Sequence, residues 1–364
     1  MFLATRELRR GAKRYSLLSV VIALVAVLST ILSGLATGLV TDGISGLRAL
    51  PIDHLAFEPG AEATFSRSTI TPEQLATFQA EDAIEATPLG MSFANARPAA
   101  GGPNLDMALF GIAPDSFLLP NKDARGAISG KPGLVLSHEF EEQGVNVGDL
   151  YKLGSSDLEL PVVGFTFGGT YGHAPIGFTS LSTWRELTFG NPDDSRSSAI
   201  GIRVQSGANV DLGALDEAAN TDTITKQAAY AGSPGFTAET TTMSLIRSFL
   251  LVISALVIGA FFTVLTVQRT RQIGLLKAMG ASNGYIARDG VGQMAILVSA
   301  ATIAGTLVGA GLVALVGRGD APVELSPSSI ITSGLSLIVA GVIGSLVALR
   351  RITQVEPAIA LGAE

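Results

Sequence analysis

Four long apolar runs without a charged side chain constrain this chain more than any other feature. Each run has at least the ~20 residues that a helix needs to cross the ~30 Å hydrocarbon core of a membrane. Lipid offers the backbone no hydrogen-bond partners, so a spanning segment must be a helix or part of a closed barrel. Runs of this length predict four transmembrane helices. They are residues 16–40, 248–267, 290–317 and 329–349.

The first run shares one property with a signal peptide, because basic residues precede it at Arg9, Arg10, Lys13 and Arg14. A signal peptide, however, has an apolar core of about 7–15 residues followed by a small-residue cleavage site. This run has 25 uncharged residues, and no clear cleavage site follows it. We therefore expect it to be retained as a membrane anchor.

The distribution of charge predicts the orientation of the helices. Residues 1–15 hold five Lys or Arg and one Glu, and residues 268–289 hold four and one Asp. Residues 42–246 hold eleven basic and 25 acidic side chains. Because Lys and Arg accumulate in cytoplasmic segments, both termini and residues 268–289 are expected inside the cell. Residues 42–246 are then outside, as in a multi-pass protein of the plasma membrane.

The expected fold class is an α-helical membrane domain of four transmembrane helices plus an α+β extracytoplasmic domain inserted between helices 1 and 2. Residues 1–15 are either an amphipathic helix on membrane lipid or a plain basic flank, which would look similar. The expected segments are a cytoplasmic amphipathic helix at 1–15, TM1 at 16–41, the extracytoplasmic domain at 42–246, TM2 at 247–267, a cytoplasmic coupling loop at 268–289, TM3 at 290–317, an outer loop at 318–328, TM4 at 329–349 and a cytoplasmic tail at 350–364.

Helix starts and β-rich runs alternate within the inserted domain. Thr71, Pro72 and Gln74 have the spacing of a capping box, which predicts a helix start. Runs rich in β-forming residues and bounded by Gly, Pro, Asn or Asp predict strands. These patterns indicate a mixed domain of one or two lobes. The further predicted helices are 139–144, 182–187 and 211–220, and the predicted strands are 107–112, 133–136, 158–167 and 200–204.

Small residues recur at a spacing of four in the third and fourth apolar runs. Gly305 and Gly309 form one pair, and Ala340 and Gly344 form another. Such pairs let two helix backbones approach closely in lipid. They favour a packed dimer, although glycine is abundant in membrane helices in general.

The chain lacks the motifs of nucleotide binding and catalysis. The string nearest to a Walker A motif, from Gly126 to Lys131, is one residue short and continues with Pro132. The sequence has three His, no Cys, no H-E-x-x-H and no G-x-S-x-G, so we expect no enzyme and no catalytic cofactor. The apolar runs hold no ionisable residue, which argues against an ion-coupled transporter. An energy source outside the chain is therefore needed, and residues 268–289 are where it would act.

Residues 269–286, RTRQIGLLKAMGASNGYI, resemble the cytoplasmic loop of FtsX/MacB-type ABC permeases, which commonly reads R-x-x-E-I-G-L-L-K-A-x-G-A-S. Gln272 stands where Glu is usual. The resemblance extends to the order of all parts of the chain. Residues 42–70 look most similar to the DevC/HrtB-like branch, which includes haem-efflux permeases of Gram-positive bacteria. Residues 4–18, 133–154 and 348–361 resemble the basic lead, the extracytoplasmic core motif and the tail of the family.

The resemblance implies a homodimer of permeases with two copies of a separate ATPase, which alone binds ATP and Mg. Closure of the ATPase would be transmitted through the loop to the outer domains, a mechanism called mechanotransmission. Gly280 is expected to end a short helix and Ser282 to cap the next one. The alternative is that residues 268–289 are an ordinary basic loop, since any cytoplasmic loop of a membrane protein tends to be rich in Lys and Arg. The expected ATPase-coupling residues are Arg269, Arg271, Ile273, Leu275, Leu276, Lys277, Met279 and Gly280.

The resemblance also suggests haem as the expelled substrate. Haem needs an apolar slot, a donor to iron and cations for its propionates, here near the outer ends of helices 1 and 2. His54 is the candidate iron ligand, and the alternative is that it is an ordinary histidine of a surface loop. Arg247 is the candidate partner of a propionate, and the alternative is that it anchors the helix at the membrane interface. His173 beside Tyr171 is a weaker candidate. The residues assigned to substrate binding are His54, Phe57, Arg247 and Phe249.

Other functions are compatible with the same architecture. The pump could export a lipid, a lipoprotein or an antimicrobial peptide. The chain could also act as FtsX does and signal across the membrane to a cell-wall hydrolase. The length of residues 42–246 favours export, since hydrolase-activating relatives tend to have a smaller outer domain. The net charge of −7 does not suggest nucleic-acid binding.

Overall fold

The structure is a computed structural model that describes residues 12–119, 125–126, 128–129, 132–154, 158–268, 274–275, 277–318 and 323–352. The chain divides into two compact units. The helical unit comprises Met1–Leu39 and Thr240–Glu364, and the sheet unit comprises Val40–Glu239. Most of the predicted surface helix at 1–15 and of the predicted tail at 350–364 lies outside the described residues.

Long helices occupy both ends of the chain, and strands and short helices lie between them. The helices with described bounds are α1 Ala12–Asp42, α2 Ser45–Ala49, α3 Pro72–Gln79, α4 His138–Glu142, α5 Leu181–Phe189, α6 Leu212–Ala219, α7 Lys226–Ala229, α8 Phe236–Val267, α9 Asn283–Val316 and α10 Pro327–Ile352. The strands are β1 His54–Phe57, β2 Ile84–Pro98, β3 Leu105–Ile112, β4 Leu134–Ser137, β5 Leu150–Leu153, β6 Glu159–Thr166, β7 Thr170–Tyr171, β8 Ala174–Ser180, β9 Ala199–Val204 and β10 Asp222–Thr225.

Within the described residues, four helices are long and apolar enough to cross a membrane, namely α1, α8, α9 and α10. This confirms the four predicted spans by length and composition. The helices extend beyond the apolar runs, and α8 begins at Phe236 although the second span was predicted to start at 247. Residues 236–246 were left out of the predicted span because they are polar, but polar residues can also form a helix, and here they do. The start of the apolar run therefore does not mark the start of the helix.

Close packing within the helical unit depends on small residues. A Cβ on Gly305 of α9 would collide with the carbonyl oxygen of Ala23 on α1, and one on Gly309 would lie 2.8 Å from Thr30 Cβ. A Cβ on Gly344 of α10 would collide with the carbonyl oxygen of Ala255 on α8. The Gly305–Gly309 pair and Gly344 thus pack against helices of the same chain. Packing within one chain is enough to explain the spacing of these small residues, so the spacing does not by itself indicate a dimer.

The other faces of these helices are apolar and exposed. On α8, Phe249, Val252 and Leu256 are 66%, 56% and 67% exposed and follow the three- and four-residue spacing of one helix face. Soluble proteins rarely expose a contiguous apolar strip of this kind. The strip is typical of a helix that faces lipid.

One mixed sheet of ten strands organises the sheet unit. The N-terminal half of β2 pairs with β9, and its C-terminal end pairs with β5. Strands β2, β3, β8, β4, β6 and β5 consequently close on themselves, while β9, β1 and β10 extend the sheet from the other half of β2. The β3–β8 and β4–β6 pairs are parallel and the remaining pairs are antiparallel. The predicted strands correspond to β3, β4, β6 and β9, whereas β2 was not predicted.

Helix α5 lies on the β2–β3 pair through the only tryptophan of the chain. Trp184 is 1% exposed, and its indole nitrogen donates to Ser92 Oγ at 3.1 Å. A Cβ on either Gly90 or Gly111 would collide with the indole ring, so both positions need glycine. The capping box at α3 forms as predicted, with Gln74 N donating to Thr71 Oγ1 at 3.4 Å and Thr71 N donating to Gln74 Oε1 at 2.9 Å.

We expect Gly305→Ala to destabilise the helical unit, because the new Cβ meets the α1 backbone. Overpacking of this kind costs about 1–3 kcal/mol. Gly311→Ala on the same helix is the matched control, since nothing lies within 4 Å of its Cβ position. Thermal unfolding of the purified chain in detergent measures the difference. A lower midpoint for Gly305→Ala alone supports this packing, and equal midpoints for the two variants contradict it.

Candidate functional site

The first candidate site is the α8–α9 turn, residues 274–282, between the second and third long helices. Its described residues are 274–275 and 277–282. The predicted coupling residues Arg269, Arg271, Ile273 and Leu276 lie outside the described residues. The other four, Leu275, Lys277, Met279 and Gly280, belong to the turn.

Two large apolar side chains project from this turn. Leu275 is 57% exposed and Met279 is 69% exposed. Met279 N donates to Leu275 O at 3.0 Å, which is the hydrogen bond of one helical turn, so the two side chains lie on the same face. Lys277 lies between them in sequence and is partly exposed. The turn therefore presents an apolar knob beside a cation.

The turn ends in the geometry that its sequence predicts. Gly280 has a φ of 94° and its N–H donates to Lys277 O at 3.0 Å, so the short helical turn stops at this left-handed residue. Ser282 then caps α9, and its Oγ accepts from Tyr285 N at 3.2 Å. Both assignments are confirmed.

A second polar cluster surrounds Arg247 on α8. Its Nη2 donates to Ser33 O at 3.2 Å and to Ser33 Oγ at 3.1 Å, and Ser333 Oγ donates to Ser33 Oγ at 3.1 Å. Its Nε is buried without a hydrogen-bond partner. No carboxylate pairs with Arg247 among the residues that the structure describes. A cation held only by serines next to an apolar run remains able to attract an anion.

The structure places the other proposed substrate residues in different surroundings. Phe249 is exposed on α8. His54 begins β1, is partly exposed, and has its Nδ1 buried without a partner. Phe57 ends β1 and is only 2% exposed, with its ring 5.2 Å from that of Phe65 in the aromatic core. Phe57 is therefore a core residue, and its burial removes it from the substrate contacts.

A third cluster, which the sequence interpretation did not identify, joins His173 to two carboxylates. Its Nδ1 lies 3.0 Å from Asp42 Oδ2, and its Nε2 lies 2.9 Å from Glu239 Oε1. Asp42 ends α1 and Glu239 lies in the first turn of α8. The hydrogen bond to Asp42 is the largest cause that raises the pKa of His173, and the contact with Glu239 raises it further. We call these three residues the clasp.

Aromatic side chains adjoin the clasp. The ring of Phe93, which is 52% exposed, stacks 6.2 Å from the buried ring of Tyr171, two residues before His173. Only the short sequence distance between Tyr171 and His173 hinted at this grouping. The carboxylates come from distant parts of the chain, and no periodicity relates them. No group of His, Asp and Glu suited to a metal ion occurs in the described part of the chain.

Comparison with known proteins gives these sites a context. Residues 244–357 match the family model described as FtsX-like permease C-terminal. The matched segment contains most of α8, the α8–α9 turn, α9 and α10. The C-terminal part of this chain is thus an FtsX-like permease domain.

Curated relatives extend the similarity to the whole chain. The putative hemin transport system permease protein HrtB of Staphylococcus haemolyticus is 23% identical over 377 residues, which cover 100% of this chain and 99% of that protein. A protein of the same name from Staphylococcus epidermidis is 21% identical over 63% of each chain. The extracellular domain of the noncanonic ABC-type transporter YknZ from Gram-positive bacteria shows 15% identity and a TM-score of 0.35, covering 48% of this chain and 98% of that domain.

We expect Ser282→Ala to loosen the first turn of α9, because Tyr285 N loses its side-chain acceptor. Loss of such a cap costs about 1 kcal/mol, which corresponds to roughly fivefold faster amide hydrogen exchange at Tyr285. Ser282→Thr keeps the hydroxyl and should exchange like the unmodified chain. Hydrogen exchange with mass spectrometry on the full chain measures both variants. Unchanged exchange in Ser282→Ala would show that the cap does not hold this turn.

Proposed function

We propose that this chain, whose residues 244–357 form an FtsX-like permease domain, is the membrane subunit of an ABC efflux pump that a separate ATPase drives. Such a permease is the non-catalytic part of an ABC transporter. The observation that carries the proposal is the α8–α9 turn. It exposes Leu275 and Met279 between two membrane-crossing helices in a chain that has no Walker A motif.

The proposed coupling uses the chemistry of that turn. Leu275 and Met279 would enter an apolar groove of the ATPase, and Lys277 would meet acidic residues at its rim. Arg269, Arg271, Ile273, Leu276 and Gly280 complete the proposed contact. Two permease copies would pair with two ATPase copies, and ATP and Mg would bind only the ATPase. The turn then lies in the cytoplasm with both termini, and the sheet unit lies outside the cell.

The substrate that we propose is haem, expelled from the membrane or its outer leaflet by mechanotransmission. The support is that a Staphylococcus haemolyticus protein named as a putative hemin permease aligns with the whole chain at 23% identity, and two further proteins of that name align with 63% of it. Haem is both hydrophobic and anionic, because it joins an apolar ring to two carboxylates. The proposed pump would therefore expel a hydrophobic anion. A site for it needs an apolar surface and a cation.

Arg247 supplies the proposed cation. Its guanidinium is held by Ser33 and has no carboxylate partner among the described residues, so a propionate would not have to displace an ion pair. Phe249 offers exposed aromatic surface on the same helix. His54 stays the proposed iron ligand through Nε2, because its Nδ1 is buried.

We expect the double substitution Leu275→Glu and Met279→Glu to abolish co-purification with the ATPase. Burying two unpaired carboxylates in an apolar groove costs at least about 3 kcal/mol, more than a hundredfold in affinity. The permease itself should still insert and unfold at an unchanged temperature, since both side chains are exposed.

Val147→Glu is the control for added charge, because Val147 is an apolar residue of the sheet unit that is 63% exposed. It should co-purify with the ATPase normally. Normal co-purification and normal stimulation of ATP hydrolysis in the double variant would show that the turn is not the contact.

We expect Arg247→Gln to weaken haemin binding about tenfold or more, because the charge-assisted hydrogen bond to a propionate is lost. Arg247→Lys keeps the charge and should retain most of the affinity. The change of the Soret band on titrating the purified chain with haemin measures the dissociation constant.

A missing or non-saturable Soret change in the unmodified chain would reject haem as the substrate and would not affect the proposed coupling to an ATPase. Stimulation of ATP hydrolysis by lipid, lipoprotein or antimicrobial peptide would then favour one of those as the cargo. Activation of a cell-wall hydrolase in the absence of any transported compound would favour transmembrane signalling.

A further inference from the structure

The turn between β7 and β8 has an unusual residue at its tip. Tyr171 pairs with Ala174, so the loop consists of Gly172 and His173, with φ of 59° and 63°. Both residues are in the left-handed region that two-residue hairpins require, and Gly or Asn are the residues that adopt it most easily. A histidine there is strained unless its contacts compensate. Such a residue points to a role for its side chain.

The imidazole of His173 has a carboxylate at each nitrogen. Nδ1 faces Asp42 and Nε2 faces Glu239, at 3.0 and 2.9 Å. The ring also lies over Gly43, where a Cβ would be 3.2 Å from Nε2. His173 therefore contacts both the last residue of α1 and the first turn of α8.

Neutral contacts hold the hairpin in place, and one of them also joins the residue after α1 to the segment before α8. Ser233 Oγ donates to Gly43 O at 2.8 Å and accepts from Gly172 N at 3.1 Å, and Gly172 N also donates to Gly43 O at 2.9 Å. Thr170 N donates to Ser45 Oγ at 2.8 Å. These bonds do not titrate. A change of charge on His173 alters the clasp while the hairpin keeps its position.

The two carboxylate contacts require a protonated ring. A neutral imidazole has one N–H and one lone pair, so one carboxylate would face a lone pair, whereas the imidazolium donates from both nitrogens. The charged groups that act on His173 are Asp42 and Glu239, and both raise its pKa, against partial burial, which lowers it. Glu139 is a further carboxylate, whose own pKa is raised by burial and by Asp42.

We propose that the clasp is a proton-operated latch, which tightens the junction between the adjoining ends of α1 and α8 when His173 is protonated and loosens it when His173 is neutral, while the neutral bond from Ser233 Oγ to Gly43 O persists. In the pump proposed above, these ends lie outside the cell, and their separation opens the path between the two helices. The latch thus makes opening depend on the external pH. Only this consequence rests on the proposed function, since the latch itself needs neither ATPase nor haem.

The direction of the pH dependence follows from the raised pKa. The joined state binds the proton more tightly than the separated state, in which His173 has its ordinary pKa of 6.5. The latch is at full strength below that value. As the pH rises from there to the pKa of the joined state, the ratio of separated to joined ends should increase by up to about tenfold per pH unit, and then level off.

His173→Asn is the decisive variant, because asparagine suits the left-handed turn and so preserves the hairpin. The chain has no cysteine, so nitroxide labels can be attached at Thr41→Cys and Ala238→Cys alone. Dipolar broadening between these labels, in the full chain in nanodiscs from pH 5.5 to 9, reports the separation of the two ends. Exchange of the imidazole C–H hydrogen measures the pKa of His173.

We expect the separation to increase with pH in the unmodified clasp and to be independent of pH in His173→Asn. Asp42→Asn should move the transition to lower pH, because it removes the largest contribution to the raised pKa. Equal pH curves for the unmodified clasp and His173→Asn, or a His173 pKa at or below 6.5, would overturn the latch. Haemin and ATPase are absent from this experiment, so its failure is distinct from failure of the proposed pump.

Discussion

Exclusion of charge from the membrane-crossing segments is the constraint on which the rest of this structure depends. A charged group in lipid is costly, and the four apolar runs contain none. Arg247 directly precedes one of these runs, and its guanidinium donates a hydrogen bond to Ser33 Oγ. The proposed pump is accordingly driven from the ends of its helices. The α8–α9 turn and the clasp each lie where a membrane helix ends or begins.

Local chemistry made much of the fold predictable. The four spans follow from apolar length alone, and the caps at Thr71 and Ser282 follow from side chains within three residues of the helix start. Strand β2 was missed because Pro88 and the polar residues around it obscure the β pattern. Its pairing with β5 closes the sheet, and such long-range pairing leaves no local signal. The partner helix of Gly305 was likewise unpredictable, since spacing identifies a small residue but not what packs against it.

The same limit applies to the sites. The turn after α8 was predictable because Leu275, Met279, Gly280 and Ser282 act within one short segment. Assignment of substrate residues needed knowledge of burial, and Phe57 proved to be in the core because tertiary packing decides where an aromatic residue lies. The clasp was not predictable, because His173 meets carboxylates that only the folded chain brings together.

The central claim is that an ATPase engages this chain at the α8–α9 turn. Because the sequence has no cysteine, a single photoreactive label can be placed at Met279→Cys in membranes that also contain the proposed partner ATPase. The label projects from an exposed position, and illumination should link it to the ATPase, with no such product from Val147→Cys. An ATPase adduct from position 147 but none from position 279 would contradict the claim.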